Sequence, residues 1–498
     1  MALAAYHRRA AVAAAQVLEG FDEERFAAAV SMPVGISFGS NAVASPEGRA
    51  LLDLLVRLVA RLYPTVSIDA PAKLERVTNE LIELCRRVNP EIEYAAAEVG
   101  IAVGLDAAAF PTTIYVGSDG WDALVSTEQP QMIGASHNIL GAGAAACIGA
   151  ANLFRAVVLP EPRLDETVRY SAFHLDSALI AGEEPPPLPT VALDHTALIG
   201  IGAIGNATVW ALANSEIVGR IELVDPEDVE LSNLQRYVLT EQNDVGKQKA
   251  KLAARLFKGG DLKARAHPVS LAAFLAERGA ALERLVVAVD SRGDRIAAQA
   301  SLPQVAFNSW TQPGDLGVSV HPRFGEGACI SCLYTGDGPV PNEDELVAQA
   351  LRVPERQMEI RALLAMGAPP PPELLDAVAA GLGVDPPLVH AFAGRPVRSL
   401  YVEGLCGGAI LPLGAVGFPT QEVHVPLAHQ SALAGVLLAA RLLRHAAGLG
   451  PEETLISRFD VLRPVGVELT QPRARLEGRR CICGDPDFVA AYREKWPQ

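Results

Sequence analysis

The sequence predicts an α/β protein whose main domain is a doubly wound parallel sheet, preceded by a second α/β lobe. Apolar runs of strand length alternate with helical segments in both halves of the chain, which is typical of parallel sheets with crossover helices. A glycine-rich turn, Gly200-x-Gly202-x-x-Gly205, lies between such a strand and a helix. Consecutive prolines in residues 181–190 exclude helix there and indicate a linker. We therefore expect an N-terminal α/β lobe over residues 1–180, followed by the linker and the main domain.

Each element of the N-terminal lobe is predicted by hydrophobic periodicity. Short apolar runs predict strands, and a longer run with helical spacing predicts an amphipathic helix. The end of the lobe, residues 136–155, resembles residues 428–444 near the end of the main domain. Two similar helices rich in small residues suggest a duplicated lobe, although core helices of any alanine-rich protein share this composition. The predicted strands are 33–38, 65–68 and 113–116, and the predicted helix is 51–62.

The main domain divides into three parts. Residues 191–335 contain the glycine turn, a helix predicted over 206–218, and strands predicted over 221–224 and 285–289. Residues 336–398 are polar and proline-rich with helical spacing, which predicts a helical insertion. Residues 399–498 are expected to complete the domain and to carry a cysteine-containing tail.

Composition limits the function classes. The chain has 498 residues, 50% of them hydrophobic and 20% charged, which indicates a multidomain globular protein. The net charge is −16, and no cluster of Lys and Arg stands out, so nucleic acid is not an expected partner. The apolar stretch 139–159 is interrupted by Asn152 and Arg155 and predicts a core helix, so no membrane contact is expected. With seven cysteines and no signal-peptide pattern, we expect a cytoplasmic protein.

The glycine turn and a following acidic residue predict a nucleotide site. Glycines before a helix aim backbone N–H groups at a phosphate and let that phosphate approach the chain closely. Asp225 ends the next strand, 20 residues past Gly205, where a carboxylate can accept hydrogen bonds from a ribose. These features alone leave NAD and ATP open.

Three further segments carry a family resemblance. Asp225 to Arg236 (DPEDVELSNLQR), residues 245–250 (VGKQKA) and residues 288–295 (AVDSRGDR) resemble the ATP-binding core of the ubiquitin-activating-enzyme superfamily, the ThiF/MoeB/HesA group. The resemblance implies a Rossmann-like adenylation domain, here preceded by a degenerate lobe that has lost catalysis. It is close over residues 197–333 and otherwise only architectural. The implied ATP-binding positions are Gly200, Gly202, Gly205, Asp225, Asn233, Arg236, Lys249, Asp290 and Arg295.

The chemistry of AMP transfer explains these residue types. Negative charge spreads over the α-phosphate and the departing pyrophosphate, so fixed cations and a metal ion stabilise the transition state. Arg236 and Lys249 supply the cations in the family pattern, and Asp290 is the expected magnesium ligand. Arg295 either contacts the nucleotide or only pairs with Asp290.

Four cysteines predict a structural zinc site. Cys329 and Cys332 form a Cys-x-x-Cys pair, and Cys481 and Cys483 form a shorter Cys-x-Cys pair near the end of the chain. Four thiolates suit tetrahedral zinc and leave no open coordination position, so the expected role is structural. The alternative is that these are unrelated core thiols.

Two further functional residues follow from the resemblance. Cys406 lies in a glycine-flanked turn after the helical insertion, where thioester-forming members carry their nucleophile; a small residue at a strand end is the alternative. Arg8 matches an arginine that some members send into the ATP site, and a solvated helix end is its alternative. Cys85 and Cys147 occupy helical positions typical of buried thiols.

The resemblance implies that the chain adenylates the C-terminal carboxylate of a small ubiquitin-like β-grasp protein with MgATP. Thioester transfer to Cys406 and a conjugating-enzyme-like partner are further implications. A peptide, sulfur-carrier or tRNA-borne carboxylate is the alternative substrate, and a nucleotide-binding regulatory module is the alternative from another class. The oligomeric state stays open, with a homodimer as one arrangement.

Overall fold

The computed structural model describes residues 7–18, 20–177, 184–278, 282–313, 315–335, 343–406, 425–450, 454–466, 469–476 and 481–497. The strands are β1 Val34–Phe38, β2 Thr65–Asp69, β3 Glu93–Tyr94, β4 Val99–Val103, β5 Thr112–Asp119, β6 Asp122–Ser126, β7 Thr167–Ser171, β8 Val191–Ala192, β9 Thr196–Ile199, β10 Ile217–Val224, β11 Leu262–His267, β12 Arg284–Val287, β13 Val305–Gln312, β14 Asp315–His321, β15 Leu455–Phe459 and β16 Leu469–Pro472.

The helices are α1 His7–Val17, α2 Glu23–Val30, α3 Ser40–Ala44, α4 Pro46–Val59, α5 Glu75–Val88, α6 Leu140–Val158, α7 Ala203–Ala213, α8 Lys249–Arg255, α9 Leu271–Arg278, α10 Arg292–Ala300, α11 Ile330–Tyr334, α12 Glu343–Ala350, α13 Gln357–Met366, α14 Pro372–Leu382, α15 Pro386–His390, α16 Val397–Ser399, α17 Ala428–Ala446 and α18 Pro486–Lys495. The helix predicted over 206–218 is α7, Ala203–Ala213, in the structure. It begins directly after Gly202 and ends before Asn214, so both of its ends lie earlier than predicted.

The N-terminal lobe is built on a seven-stranded sheet in the order β3-β2-β1-β4-β5-β6-β7. Strands β1 to β5 pair in parallel, and β6 and β7 extend the sheet in antiparallel fashion. β1 and β4 are buried along their whole length, as expected of central strands covered on both faces.

The main domain repeats this topology. Its sheet runs β11-β10-β9-β12-β13-β14-β15-β16, with β8 paired to β10. The strands from β11 to β13 are parallel, and β14 to β16 are antiparallel additions. Both sheets therefore have the doubly wound order 3-2-1-4-5 with antiparallel strands at one edge, which confirms the predicted fold class.

The two helices rich in small residues are the centre of the core. α6 and α17 pack against each other, and α17 also packs against α7. A side chain at Gly435 would approach the Ile204 carbonyl to 2.4 Å, so only glycine lets the backbones of α17 and α7 come this close. Among the described residues, α6 is the one helix long and apolar enough to cross a membrane, and 83% of its apolar window is buried inside the protein. The structure thus uses it as a core helix, as predicted.

A second compact unit contains the described residues of the range 336–425 together with those of the range 7–27. Helices α12 to α16 bury their own apolar cluster, which includes Leu351, Ile360 and Leu374. The expected boundaries assigned residues 7–27 to the N-terminal lobe, whereas the structure groups them with the insertion. Sequence periodicity gives no information on which core an amphipathic helix joins, since it specifies only that one face is buried.

Candidate functional site

The carboxyl ends of three parallel strands meet at one edge of the main sheet. Ile199 of β9 pairs with Val224 of β10 on one side and with Val287 of β12 on the other. The residues that follow these three strands are therefore neighbours at this edge. Crevices at such an edge are the usual ligand sites of doubly wound folds.

The glycine turn has the geometry that a phosphate loop requires. Gly200 has φ +88°, and a side chain there would approach the Ala288 carbonyl to 2.8 Å. A side chain at Gly205 would come within 2.0 Å of the Gly200 carbonyl, so this position also needs glycine. Gly202 is different, because a Cβ there would meet only the Tyr237 hydroxyl, at 3.6 Å. Space therefore remains beside Gly202, at the N-terminus of α7.

Asp225 braces the glycine turn from the end of β10. Its Oδ2 accepts a hydrogen bond from the Ile201 amide at 2.6 Å, and its Oδ1 accepts one from the Glu227 amide at 2.8 Å. Burial raises the pKa of the Asp225 carboxyl, while Lys249 and these two amides oppose that rise. Each carboxylate oxygen has a second lone pair that can accept a hydroxyl donor.

Lys249 is buried in a polar pair with Glu227. Its ammonium donates to Glu227 Oε2 at 2.5 Å and to the Tyr237 hydroxyl at 3.1 Å. Burial alone would lower the pKa of Lys249, but Tyr237, Glu227 and Asp225 together raise it above its ordinary value. Lys249 is therefore a fixed positive charge at neutral pH. Glu227 is exposed, so water screens its side of this ion pair.

Asn233 and Arg236 lie on the turn that follows Asp225. The Asn233 side chain accepts from the Glu230 amide at 3.0 Å, which fixes the first turn of this segment. Arg236 is half-buried; its guanidinium donates to the Ser232 carbonyl at 3.2 Å and lies 5.5 Å from the centre of the Tyr237 ring. No carboxylate pairs with Arg236 in the part of the chain that the structure describes.

Asp290 and Arg295 follow β12 at the same edge but differ in exposure. Asp290 is exposed beyond the strand end, whereas Arg295 is buried on α10. The Arg295 guanidinium donates to the Ser309 carbonyl at 2.7 Å and also to Asn308 Oδ1 and the Val289 carbonyl. Burial lowers the pKa of Arg295, and the nearby Asp290 opposes this. No hydrogen bond or ion pair joins Arg295 to Asp290 among the described residues, so a nucleotide contact and a pairing with Asp290 both remain predictions for Arg295.

The four predicted zinc ligands form one cluster in the structure. The sulfur atoms of Cys329, Cys332, Cys481 and Cys483 all lie within 4.8 Å of one another, and all four residues are buried. Two contacts join the pairs, Cys329 to Cys481 at 3.4 Å and Cys332 to Cys483 at 3.3 Å. Tetrahedral zinc with Zn–S bonds of about 2.3 Å places its sulfurs about 3.8 Å apart, so the set fits the metal. The Cys-x-Cys spacing brings both sulfur atoms into the cluster because residues 482–484 form a tight turn.

The equivalent edge of the N-terminal sheet is filled by the protein's own side chains. Asp106 Oδ2 accepts a hydrogen bond from the Ser40 amide at 2.8 Å, at the start of the helix after β1. A side chain at Gly39 would collide with the same carboxylate. Phe110 lies against Gly35 of β1 and Gly100 of β4. The Asp106 carboxylate thus contacts the start of the helix after β1, whereas open space lies beside Gly202 at the start of α7.

Among the remaining candidate residues, the structure describes the side chains of Cys85 and Cys147 but not those of Cys406 and Arg8. Cys85 and Cys147 are buried, and burial raises the pKa of Cys85 to about 12 and that of Cys147 further. Neither is placed or ionised as a nucleophile. Arg8 lies on α1 and Cys406 ends a π-helical turn over Leu400–Cys406, and both side chains lie outside the described residues.

Sequence reasoning missed two members of the site, Glu227 and Tyr237. Tyr237 joins Gly202, Arg236 and Lys249, and Glu227 pairs with Lys249. The sequence offers no signal for Tyr237 beyond its position after Arg236. Glu227 is one of several acidic residues after Asp225, and only the fold shows which of them meets Lys249.

Two family models match different parts of the chain. The ThiF family model matches residues 192–481, and the Prokaryotic E2 family C model matches residues 37–159. A relative from Sinorhizobium fredii (strain NBRC 101917 / NGR234), the uncharacterized protein y4jF, is 40% identical over 511 residues and aligns with 100% of this chain and 98% of its own length.

Solved structures with detectable similarity include those of MccB from E. coli. The complex of MccB with MccA-N7isoASN is 15% identical with a TM-score of 0.37, covering 57% of this chain and 66% of MccB. The complex of MccB with AMPCPP and MccA is 15% identical with a TM-score of 0.36, covering 59% and 67%. This chain thus spans about two thirds of the MccB chain.

The family model covers more than half of the chain, including the glycine turn, the Asp225 to Arg236 segment and three of the four clustered cysteines, Cys329, Cys332 and Cys481. The protein therefore belongs to the ThiF family of adenylating enzymes, with a prokaryotic E2 family C region in its N-terminal lobe.

Proposed function

We propose that this chain transfers AMP from ATP to the C-terminal carboxylate of a small β-grasp protein of the ubiquitin type. The observation that carries the proposal is the set of groups at one sheet edge: an open glycine turn, the fixed cation Lys249, Arg236 without a carboxylate partner among the described residues, and the exposed Asp290. This combination suits a polyphosphate with a magnesium ion better than a neutral ligand.

Each group has a role in the proposed reaction. The amides at the start of α7 bind phosphate oxygens beside Gly202, and Asp225 accepts ribose hydroxyls while bracing the turn. Asn233 orients the segment that presents Arg236. Lys249 and Arg236 stabilise negative charge on the phosphates. Asp290 would hold magnesium, because this ion prefers oxygen ligands such as a carboxylate. When bound, magnesium would neutralise part of the charge on the phosphates.

The reaction balances without a proton transfer. A carboxylate oxygen of the substrate attacks the α-phosphorus, an O–P bond forms, and the bond from that phosphorus to the bridging oxygen of pyrophosphate breaks. The products are an acyl adenylate and pyrophosphate. Reversal with labelled pyrophosphate returns label to ATP, which makes exchange the natural assay.

The test of the function is substrate-dependent ATP–pyrophosphate exchange. Purified protein should exchange label in the presence of magnesium and a β-grasp protein that ends in glycine. A synthetic peptide with the same last residues is the comparison: equal exchange with the peptide would move the substrate class to short peptides. Absence of exchange with every carboxylate tested, alongside tight ATP binding, would favour a regulatory nucleotide-binding module instead.

We propose zinc as the occupant of the cysteine cluster, with the role of fastening the C-terminal helix. α18 begins three residues after Cys483, and its end contacts the core. Lys495 donates to the Ser301 and Leu302 carbonyls at 2.8 and 2.9 Å, and the indole nitrogen of Trp496 donates to the Leu302 carbonyl at 3.0 Å. A closed four-sulfur site joins this tail to α11 and has no position for a substrate.

Cys406 is the proposed acceptor of the activated carboxyl group, and its replacement gives a specific expectation. The thiolate would attack the acyl carbonyl, forming a C–S bond while the C–O bond to AMP breaks. With ATP and the β-grasp protein, the wild type should give a covalent adduct that thiol reductants cleave. Cys406→Ser should abolish this adduct and leave pyrophosphate exchange nearly intact, because the two steps use separate groups.

Cys85→Ser is the control, since Cys85 is buried and should leave the adduct unchanged. Robust exchange without any reductant-sensitive adduct in the wild type would return Cys406 to a structural role.

A further inference from the structure

We propose that one face of the N-terminal lobe positions the ATP site of the main domain. Asp53, Arg57 and Arg61 are spaced four residues apart on α4 and the turn that follows it, so they share one face. All three contact main-domain residues that belong to, or support, the ATP site. The inference rests on the function proposed above and assigns this face to it.

Arg61 holds the backbone of the segment that carries Arg236. It is 2% exposed, and its Nη2 donates to the Tyr237 carbonyl at 2.7 Å and the Thr240 carbonyl at 2.6 Å. Its Nη1 donates to the Arg57 carbonyl at 2.7 Å, which fixes the guanidinium against its own lobe. Charged donors to buried carbonyls make strong hydrogen bonds, so this contact restrains the residues beside Arg236.

Arg57 and Asp53, on the same face, contact two further residues of the main domain, Val238 and Trp210. Arg57 donates to the Val238 carbonyl at 3.1 Å and forms an ion pair with Asp53 at 2.9 Å. Asp53 in turn accepts from the indole nitrogen of Trp210 at 2.8 Å. Trp210 is buried on α7, the helix that begins at the glycine turn. The face therefore contacts both the Tyr237–Thr240 segment and the helix of the phosphate loop.

The contacted segment is also fixed from the main domain. Asn206 of α7 accepts from the Leu239 amide at 2.7 Å, and the Tyr237 hydroxyl accepts from Lys249. The Tyr237 hydroxyl lies beside Gly202 and accepts from Lys249. A displacement of the Tyr237 backbone would therefore shift this hydroxyl, the Lys249 ammonium and the neighbouring Arg236. Because a shift of about 1 Å in a catalytic group can cost about a hundredfold in rate, this restraint matters for catalysis.

The inference gives the prokaryotic E2 family C region a role that needs no cysteine. Asp53, Arg57 and Arg61 all lie inside residues 37–159, and the two cysteines of that region are buried. In this proposal the N-terminal lobe is a positioning domain of the enzyme, and Arg61 is its principal positioning residue.

The experiment measures the Kd of MgATP by calorimetry for full-length Arg61→Ala and Arg61→Lys. Arg61→Ala removes the donor from three carbonyls, two of them in the Tyr237–Thr240 segment, and the Kd of MgATP should rise at least about tenfold. Arg61→Lys keeps the positive charge but loses the two-pronged guanidinium, so its Kd for MgATP should lie between those of the alanine variant and the wild type. Arg87→Gln is the control: it removes an exposed ion pair with Glu241 at the same lobe boundary and should leave Kd unchanged.

A double-mutant cycle separates positioning from general destabilisation. If Arg61 acts through the Tyr237 segment, the effects of Arg61→Lys and Tyr237→Phe on Kd should be non-additive, whereas those of Arg87→Gln and Tyr237→Phe should add. Additive effects in both cycles, or an unchanged Kd in both Arg61 variants, would overturn the inference. A wild type that fails to bind MgATP would instead refute the proposed function and is thereby distinguishable.

Discussion

Arg236→Ala and Asp290→Ala should each reduce ATP–pyrophosphate exchange by about a hundredfold or more, because each removes a charge that acts on the transferring phosphates. Arg236 is half-buried and Asp290 is exposed, so neither side chain is needed to fill the core. Thermal unfolding temperatures should therefore stay close to that of the wild type. Lys249→Ala is a less specific probe, since Lys249 is buried and also holds Glu227 and Tyr237.

Matched controls for this experiment lie in the same lobe. Arg255 at the end of α8 and Asp261 before β11 are exposed residues of the same charge types. Arg255→Ala and Asp261→Ala should retain full exchange, which excludes a general effect of net charge on ATP binding. Full exchange in both Arg236→Ala and Asp290→Ala would show that the phosphates bind elsewhere.

Removal of zinc should produce the largest change in stability. Purified protein should contain about one zinc ion per chain, and Cys481→Ser should lose it together with thermal stability. A ligand at a hundred times its Kd stabilises a folded protein by about 2.7 kcal/mol. At about 2–4 °C per kcal/mol for a domain of this size, the unfolding temperature should fall by about 5–10 °C.

Cys85→Ala is the matched control for zinc content. It also removes a buried thiol and will cost stability, but its sulfur lies outside the cluster, so the zinc content should stay at the wild-type level. A metal-free wild type with undiminished stability would contradict the assignment of the cluster.

Local signals made much of the fold predictable. The strands before Gly200 and Asp225 are short apolar runs next to turn-forming residues, and buried parallel strands carry this pattern clearly. The sequence prediction did not include β3, β4, β6 or β7. In β6 and β7, polar residues that contact each other across the strand pair interrupt the apolar pattern. Asp122 of β6, for example, is buried in an ion pair with Arg169 of β7.

The site was predictable where its groups belong to one continuous motif. Gly200, Asp225, Arg236 and Lys249 lie within 50 residues of one another and meet at a sheet edge whose position follows from strand order. Arg61 was not predictable, since it meets Thr240 across 179 residues of sequence and through backbone carbonyls, which leave no trace in residue types. Asp106 escaped notice for the same reason, because its partner is the Ser40 amide.

The most direct test of the central claim follows oxygen from the substrate carboxylate into AMP. The β-grasp protein is labelled with ¹⁸O in its C-terminal carboxylate and incubated with enzyme, MgATP and an added thiol acceptor, and the nucleotides are analysed by mass spectrometry. Attack of the carboxylate on the α-phosphorus predicts pyrophosphate and AMP that carries one ¹⁸O atom from the carboxylate. Formation of ADP and phosphate, or of AMP without the label, would contradict adenylation of the carboxylate by this chain.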